Sequence, residues 1–232
     1  MNALQGVTAT LERGSVVAVM GPSGSGKSTF MNLLGWLDRP TSGRYLLAGI
    51  PVERLDRDQL AEIRNRKIGF IFQNFNSLVR MTVLENVELP LLYTDEDTAD
   101  ADNRAWSLLA SVGLAGREHS FPTQLSGGQQ LCSRPAIARS LINRPEILLA
   151  DEPTGALDSR TSAEIMSIFQ ELNRTQGITI VLVTHSNEVA AYADRIIGFR
   201  DGLVVSDAPV MYPQNAIEDL VALLRAPAEV PQ

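Results

Sequence analysis

The chain has 232 residues, 44% of them hydrophobic, and carries a formal net charge of −7. That length suits one large domain or two small ones, and the apolar share is enough for a sizeable core, which excludes a disordered chain. The acidic balance argues against a general nucleic-acid binder, whose surface is usually basic, while leaving a local basic patch open. Cys132 is the only cysteine, which excludes an internal disulfide and a cysteine-based metal cluster and fits a reducing compartment. The start, Met1-Asn2-Ala3-Leu4-Gln5-Gly6, lacks the basic and apolar regions of a signal peptide. No apolar run approaches the roughly 18–20 residues that span a bilayer, so work at a membrane would need another chain to bring this one there.

Residues 1–20 read as a strand, a turn at Glu12-Arg13-Gly14 and a buried strand, Val16-Val17-Ala18-Val19-Met20. The second strand runs directly into Gly21-Pro22-Ser23-Gly24-Ser25-Gly26-Lys27-Ser28-Thr29, which meets the phosphate-binding pattern G-x-x-x-x-G-K-S/T at every fixed position. Glycines let the backbone turn its N–H groups onto a phosphate chain. Lys27 is placed to reach the β- and γ-phosphates, and Ser28 to offer its hydroxyl to Mg2+. A helix starting near Lys27 points its positive end at the anion. A merely flexible Gly/Ser loop is the plain alternative, but strand, loop, lysine and apolar helix stand here in the required order.

That helix carries Phe30, Met31, Leu33, Leu34 and Leu37 at helical spacing and ends at Arg39-Pro40-Thr41-Ser42-Gly43. A strand over 45–48 and a charged helix over 60–66 follow, then a strand over 68–72 that delivers Gln73. Helical patterns then dominate: 83–92, 101–112 and the segment after Ser126. The acidic run 95–102 reads as a solvated loop or helix start. The strand pattern resumes at 146–150, with a helix at 162–175, a strand at 178–183, a short helix at 187–193 and a strand pair over 196–205 turning at Asp201-Gly202. Residues 216–224 form an amphipathic pattern that reads as a docked surface helix. Alternating strands and helices predict an α/β fold. The expected arrangement is a P-loop NTPase core with a mainly parallel sheet (1–73 and 144–207), an inserted α-helical subdomain (74–143) and a C-terminal tail (208–232).

The apolar run Ile147-Leu148-Leu149-Ala150 ends in Asp151-Glu152. A buried strand delivering two carboxylates downstream of a phosphate loop supplies the second half of an ATPase site, with Asp151 on Mg2+ and Glu152 on the attacking water. An acidic turn at a strand end is the alternative for the pair taken alone. Leu125-Ser126-Gly127-Gly128-Gln129 offers a second anion site at a helix start; alone, it also reads as an ordinary helix cap.

With that segment the chain resembles the ATP-binding cassette (ABC) ATPases over nearly its whole length. The resemblance implies that Ser126, Gly127, Gly128 and Gln129 contact the ATP of an opposing subunit in a head-to-tail dimer. It makes Gln73 the family's glutamine-loop residue, in reach of Mg2+ or the water. Gly155-Ala156-Leu157-Asp158 becomes the interface D-loop, and His185 the residue that clamps the γ-phosphate. His119, in a polar loop, reads as a plain surface residue. The stretches 37–43, 69–73, 84–90 and 150–158 look most like the macrolide-exporter and lipoprotein-releasing group. The resemblance therefore implies an ATP-hydrolysing subunit, using ATP and Mg2+, that powers a separate membrane-spanning permease. It would be peripheral to the cytoplasmic face of the inner membrane, with no nucleic-acid partner. An impaired cassette acting as a binding module, and a soluble ABC ATPase of DNA repair or translation, are the alternatives.

Two departures bear on activity. No aromatic residue precedes Phe30, so the adenine-stacking group of the family has no counterpart here, which fits a truncated start. Where the family usually reads Gln-Arg-Val after the signature, five residues stand here, Leu131-Cys132-Ser133-Arg134-Pro135. The extra pair would rotate an unbroken helix by roughly 200°, and proline in a helix interior costs about 3 kcal/mol. A break or bulge near 131–135 is the expectation.

Overall fold

A computed structural model of the chain describes residues 3–52, 55–94, 98–125, 129–155 and 157–225. Strands β1 (Val16–Met20), β4 (Ile68–Ile71), β5 (Ile147–Asp151), β6 (Thr179–Val183), β7 (Arg195–Arg200) and β8 (Leu203–Pro209) form one six-stranded sheet, ordered β4-β5-β6-β1-β7-β8. All neighbours run parallel except β7 and β8, which are antiparallel. Central strands rich in β-branched residues are buried on both faces: β6 is buried at every position and β1 at all but its last. A separate two-stranded hairpin joins β2 (Leu46–Leu47) to β3 (Ile50–Pro51). Ala48 (φ 47°) and Gly49 (φ 81°) supply its left-handed turn.

Helices cover both faces of the sheet. On one face, α1 (Lys27–Leu34) and α2 (Arg57–Lys67) bury Phe30, Met31 and Leu60 with Val17, Val19 and Phe199. On the other, α6 (Ser159–Gln176) presents Ile165, Met166, Phe169 and Leu172 to Ile180 and Leu182. Each such side chain contributes about 1.5–3 kcal/mol by leaving water. Helices α3 (Val83–Glu88), α4 (Thr98–Ser111) and α5 (Gln129–Leu141) share this second core through Val87, Leu109 and Ile137. The short α7 (Asn187–Ala190) follows β6. α8 (Ala216–Arg225) lies against α6, where Gln170 accepts from the Ala216 N–H at 2.9 Å and Tyr192 donates to Asp219 at 2.8 Å. It is the docked surface helix its pattern predicts.

Three expectations change. Among the described residues, 3–12 form no strand, because a strand exists only by ladder pairing and this segment enters no ladder of the sheet. They are held instead by the Gln5 N–H on the Gly202 carbonyl at 2.8 Å and by Leu4, Val7 and Leu11 packed on the core containing Phe30. The strand over 45–48 contracts to Leu46–Leu47.

The third change concerns the break expected near 131–135, which does not form: α5 is continuous from Gln129 to Leu141 with Pro135 inside it. Proline there removes one hydrogen bond, and burial outweighs the loss. Ser133 and Pro135 through Ala138 are buried. Arg134 donates to the Val112 carbonyl and to Glu164, both at 2.6 Å. Burying Ile137 alone contributes about 1.5–3 kcal/mol, comparable to the cost of the proline.

Candidate active site

Parallel register brings the loops together. Val19 of β1 stands level with Val183 of β6, Asp151 of β5 with Val183, and Ile71 of β4 with Ala150. The residues just beyond those strand ends are Gly21, His185, Glu152 and Gln73. All therefore emerge at one edge of the sheet, where α/β folds place their ligands.

The phosphate loop is shaped by its glycines. A Cβ on Gly21 would lie 2.2 Å from the Phe199 carbonyl oxygen, and one on Gly26 2.7 Å from the Ala3 carbonyl oxygen. Gly26 sits at φ 101° as the N-cap of α1, so no side chain neutralises the first-turn amides and no acidic residue stands in that turn. The positive helix end is left for an anion. Lys27 Nζ donates to the carbonyls of Gly21 at 2.8 Å and Pro22 at 2.9 Å, which arches the lysine over the loop. Pro22, Ser23, Gly24 and Ser28 are exposed, and Thr29 is half-buried. Ser25 is buried, with no hydrogen-bond partner for its hydroxyl among the described residues. The loop is braced from behind: the Gly202 N–H, in the β7–β8 turn, donates to the Ser25 carbonyl at 3.0 Å.

Asp151 faces this loop. Burial, then the adjacent Glu152 charge, push its carboxyl up from the ordinary value, while Lys27 and a hydrogen bond from Ser28 pull it back. A hard oxygen set of one hydroxyl and one carboxylate, beside a phosphate loop, fits Mg2+, which takes its remaining ligands from phosphate and water. Among the described residues, no three His, Cys, Asp or Glu side chains gather into an all-protein metal site.

Glu152 has a left-handed backbone, φ 47°, pinned by its N–H on the Val183 carbonyl at 2.8 Å. Strain of this kind persists where surrounding bonds over-determine it. Its carboxylate is mostly buried and lies 2.7 Å from Nδ1 of the exposed His185. Thr184 Oγ1 donates to the other carboxylate oxygen at 3.4 Å. Thr184 is buried, and the sequence marks it only as the residue before His185.

The structure thus brings Lys27, Ser28, Asp151, Glu152 and His185 together. Gln73 is exposed in the turn after β4, on the same edge. Ser126, Gly127 and Gly128 lie outside the described residues, and Gln129 is the first residue of α5. Asp158 acts on its own helix. Its carboxylate caps α6, accepting from the Thr161 N–H at 2.8 Å and hydroxyl at 3.1 Å, and these bonds hold its pKa below the ordinary range.

A mostly parallel sheet, a glycine-cradled lysine and a strand-end carboxylate pair define a P-loop ATPase core. The family model described as "ABC transporter" matches residues 4–155, more than half of the chain, and the chain belongs to that family. It is 53% identical, over 88% of its length, to a macrolide export ATP-binding/permease protein MacB of Rhodopirellula baltica, covering 30% of that relative. It is 47% identical, over 97% of its length, to a pyoverdine export ATP-binding/permease protein PvdT of Pseudomonas fluorescens, covering 34% of that one. The chain therefore spans about a third of the length of these curated relatives. Among solved structures it resembles the ATP-binding cassette MJ0796, in a dimeric post-hydrolysis state bound to ADP and Pi. The TM-score is 0.81 and the identity 43%, over 90% of each chain. The chain is an ATP-binding and ATP-hydrolysing ABC ATPase domain, related to the MacB and PvdT type of exporter ATPase.

Proposed function

We propose that this domain powers a membrane-spanning permease by closing and reopening as an ATP-bound dimer. The convergence of Lys27, Ser28, Asp151 and the Glu152–His185 pair on one sheet edge carries the reading. The loop amides and Lys27 hold the phosphates. Ser28 and Asp151, joined by Gln73, hold Mg2+, which when bound offsets charge on the β- and γ-phosphate oxygens. Glu152 orients the attacking water and accepts its proton, with its carboxylate aimed by Thr184 and His185. His185, exposed beside Glu152, also reaches for the γ-phosphate. Ser126, Gly127, Gly128 and Gln129 serve the ATP of the second subunit, and Asp158 stands in the segment facing it. The dimeric state of MJ0796 and the ATPase–permease fusion of MacB and PvdT support both partnerships. No described helix is long and apolar enough to cross a membrane. The permease would hold the domain at the cytoplasmic face of the inner membrane.

Mg2+-ATP turnover by the purified chain tests this, with Glu152→Gln as the reference. The substitution should leave ATP binding intact and cut turnover by about 10²–10⁴; unchanged turnover ends the assignment of Glu152. The unbroken α5 favours a second reading, an impaired cassette, because two extra residues in a continuous helix turn its start at Gln129 by roughly 200° relative to Ala136–Arg139 compared with the family spacing. ATP binding with no turnover above the Glu152→Gln reference would select it.

A further inference from the structure

The segment that follows Gln73 turns through two consecutive left-handed residues, Phe75 at φ 56° and Asn76 at φ 44°. Such backbone is costly for side chains other than glycine and persists only where outside contacts impose it. Those contacts come from the helices. Arg139 of α5 donates through one guanidinium nitrogen to the Phe75 carbonyl at 2.7 Å and through the other to the Asn76 carbonyl at 2.9 Å. Further along, the fully buried Asn86 of α3 accepts from the Leu78 N–H at 2.7 Å and donates to the carbonyls of Leu78, Met81 and Thr82. Gln73 therefore leaves the sheet at β4 and enters a loop whose shape is set by α5 and α3.

We propose that Arg139 is a positioning residue for Gln73, gripping the loop behind it so that the placement of Gln73 follows helix α5, the helix that begins directly after Ser126–Gly128. This rests on the reading of Gln73 as a group that meets Mg2+ or the water. The planar fork of Arg139 matches two adjacent carbonyls; a lysine offers a single point of attachment. A guanidinium partly withdrawn from water, its pKa lowered by burial, makes firm bonds to both. Both bonds of Arg139 go to loop carbonyls, so its removal should slow the chemical step and leave nucleotide affinity at saturating Mg2+ alone.

The test is a double-mutant cycle in the full chain, read as steady-state ATP turnover. Gln73→Ala and Arg139→Gln should each lower kcat by about ten-fold or more with the KM for ATP nearly unchanged, and the double variant should be no slower than Gln73→Ala alone. Arg139→Lys should fall between wild type and Arg139→Gln, and it keeps the cycle available if Arg139→Gln does not fold. Full turnover in Gln73→Ala overturns the reading of Gln73. A slow Gln73→Ala with losses that multiply in the double variant overturns the positioning role and leaves Gln73 standing. For a chain with little basal turnover, the same cycle is read as the Mg2+ concentration that half-saturates binding of a fluorescent, non-hydrolysable ATP analogue. Both single variants should raise it and the double no further; independent shifts overturn the proposal.

Discussion

Helices α1 and α5 each begin just after a Ser/Gly stretch, but different forces hold them. In α1 every local cue agrees: a buried strand enters, glycines turn, Gly26 caps without a side chain, and Phe30 and Met31 face the core. In α5 the local cues conflict. Proline stands in its interior and two residues exceed the family spacing, yet the helix is continuous. Its authority comes from afar, through the buried run 135–138, the Arg134–Glu164 pair and the grip of Arg139 on residues 63 and 64 positions earlier. Local agreement makes a segment predictable in isolation. Distant packing makes it stable without making it predictable.

The largest effect should come from the locally encoded side. Lys27→Ala removes the cation arched over the phosphate loop and should lower turnover by at least about 10²-fold, the scale of losing one preorganised charge donor. Turnover within a few-fold of wild type would mean that the loop works by its amides alone. On the other side, Pro135→Ala weighs local against distant control. If the local penalty ruled, restoring the missing N–H would raise stability by about 3 kcal/mol. Control by packing predicts a gain below about 1 kcal/mol, since the buried proline ring gives up contacts in exchange. A urea titration of both chains decides between them. The smallest effect concerns Tyr45, whose hydroxyl donates to the Leu34 carbonyl at the end of α1 at 2.9 Å. Burial raises its pKa to about 12. The folded state thus holds that proton more tightly than the unfolded chain, and the contribution is full below about pH 10 and lost as pH rises toward 12. Unfolding free energy should decline across that window, and Tyr45→Phe should flatten the decline; an equally steep decline in the variant would place its source elsewhere.

What could be read from the sequence follows a physical line. The phosphate loop, the carboxylates ending β5 and the apolar stripe of α6 were legible because each is encoded within a few residues. The strand expected in residues 3–12 failed because strands exist only by pairing, and the pattern around Val7 and Leu11 shows no partner. Asp158, which the resemblance places at a subunit interface, is also the cap of α6, a role its neighbour Thr161 makes visible in retrospect. Thr184 and Arg139 carried no sequence signal of their own, since each acts on groups brought near by the sheet or by helix packing.

The β7–β8 turn leaning on the phosphate loop has a thermodynamic consequence. The Ser25 carbonyl is held by Gly202, whose own carbonyl is held by Gln5, so segments far apart in the chain converge behind the nucleotide site. The mould for the phosphates is therefore cast when the sheet assembles, before any nucleotide arrives. Ordering entropy is spent during folding and little is left to spend on binding. Nucleotide recognition and sheet assembly become one cooperative unit, lost together on heating, with ATP raising the midpoint of that single transition.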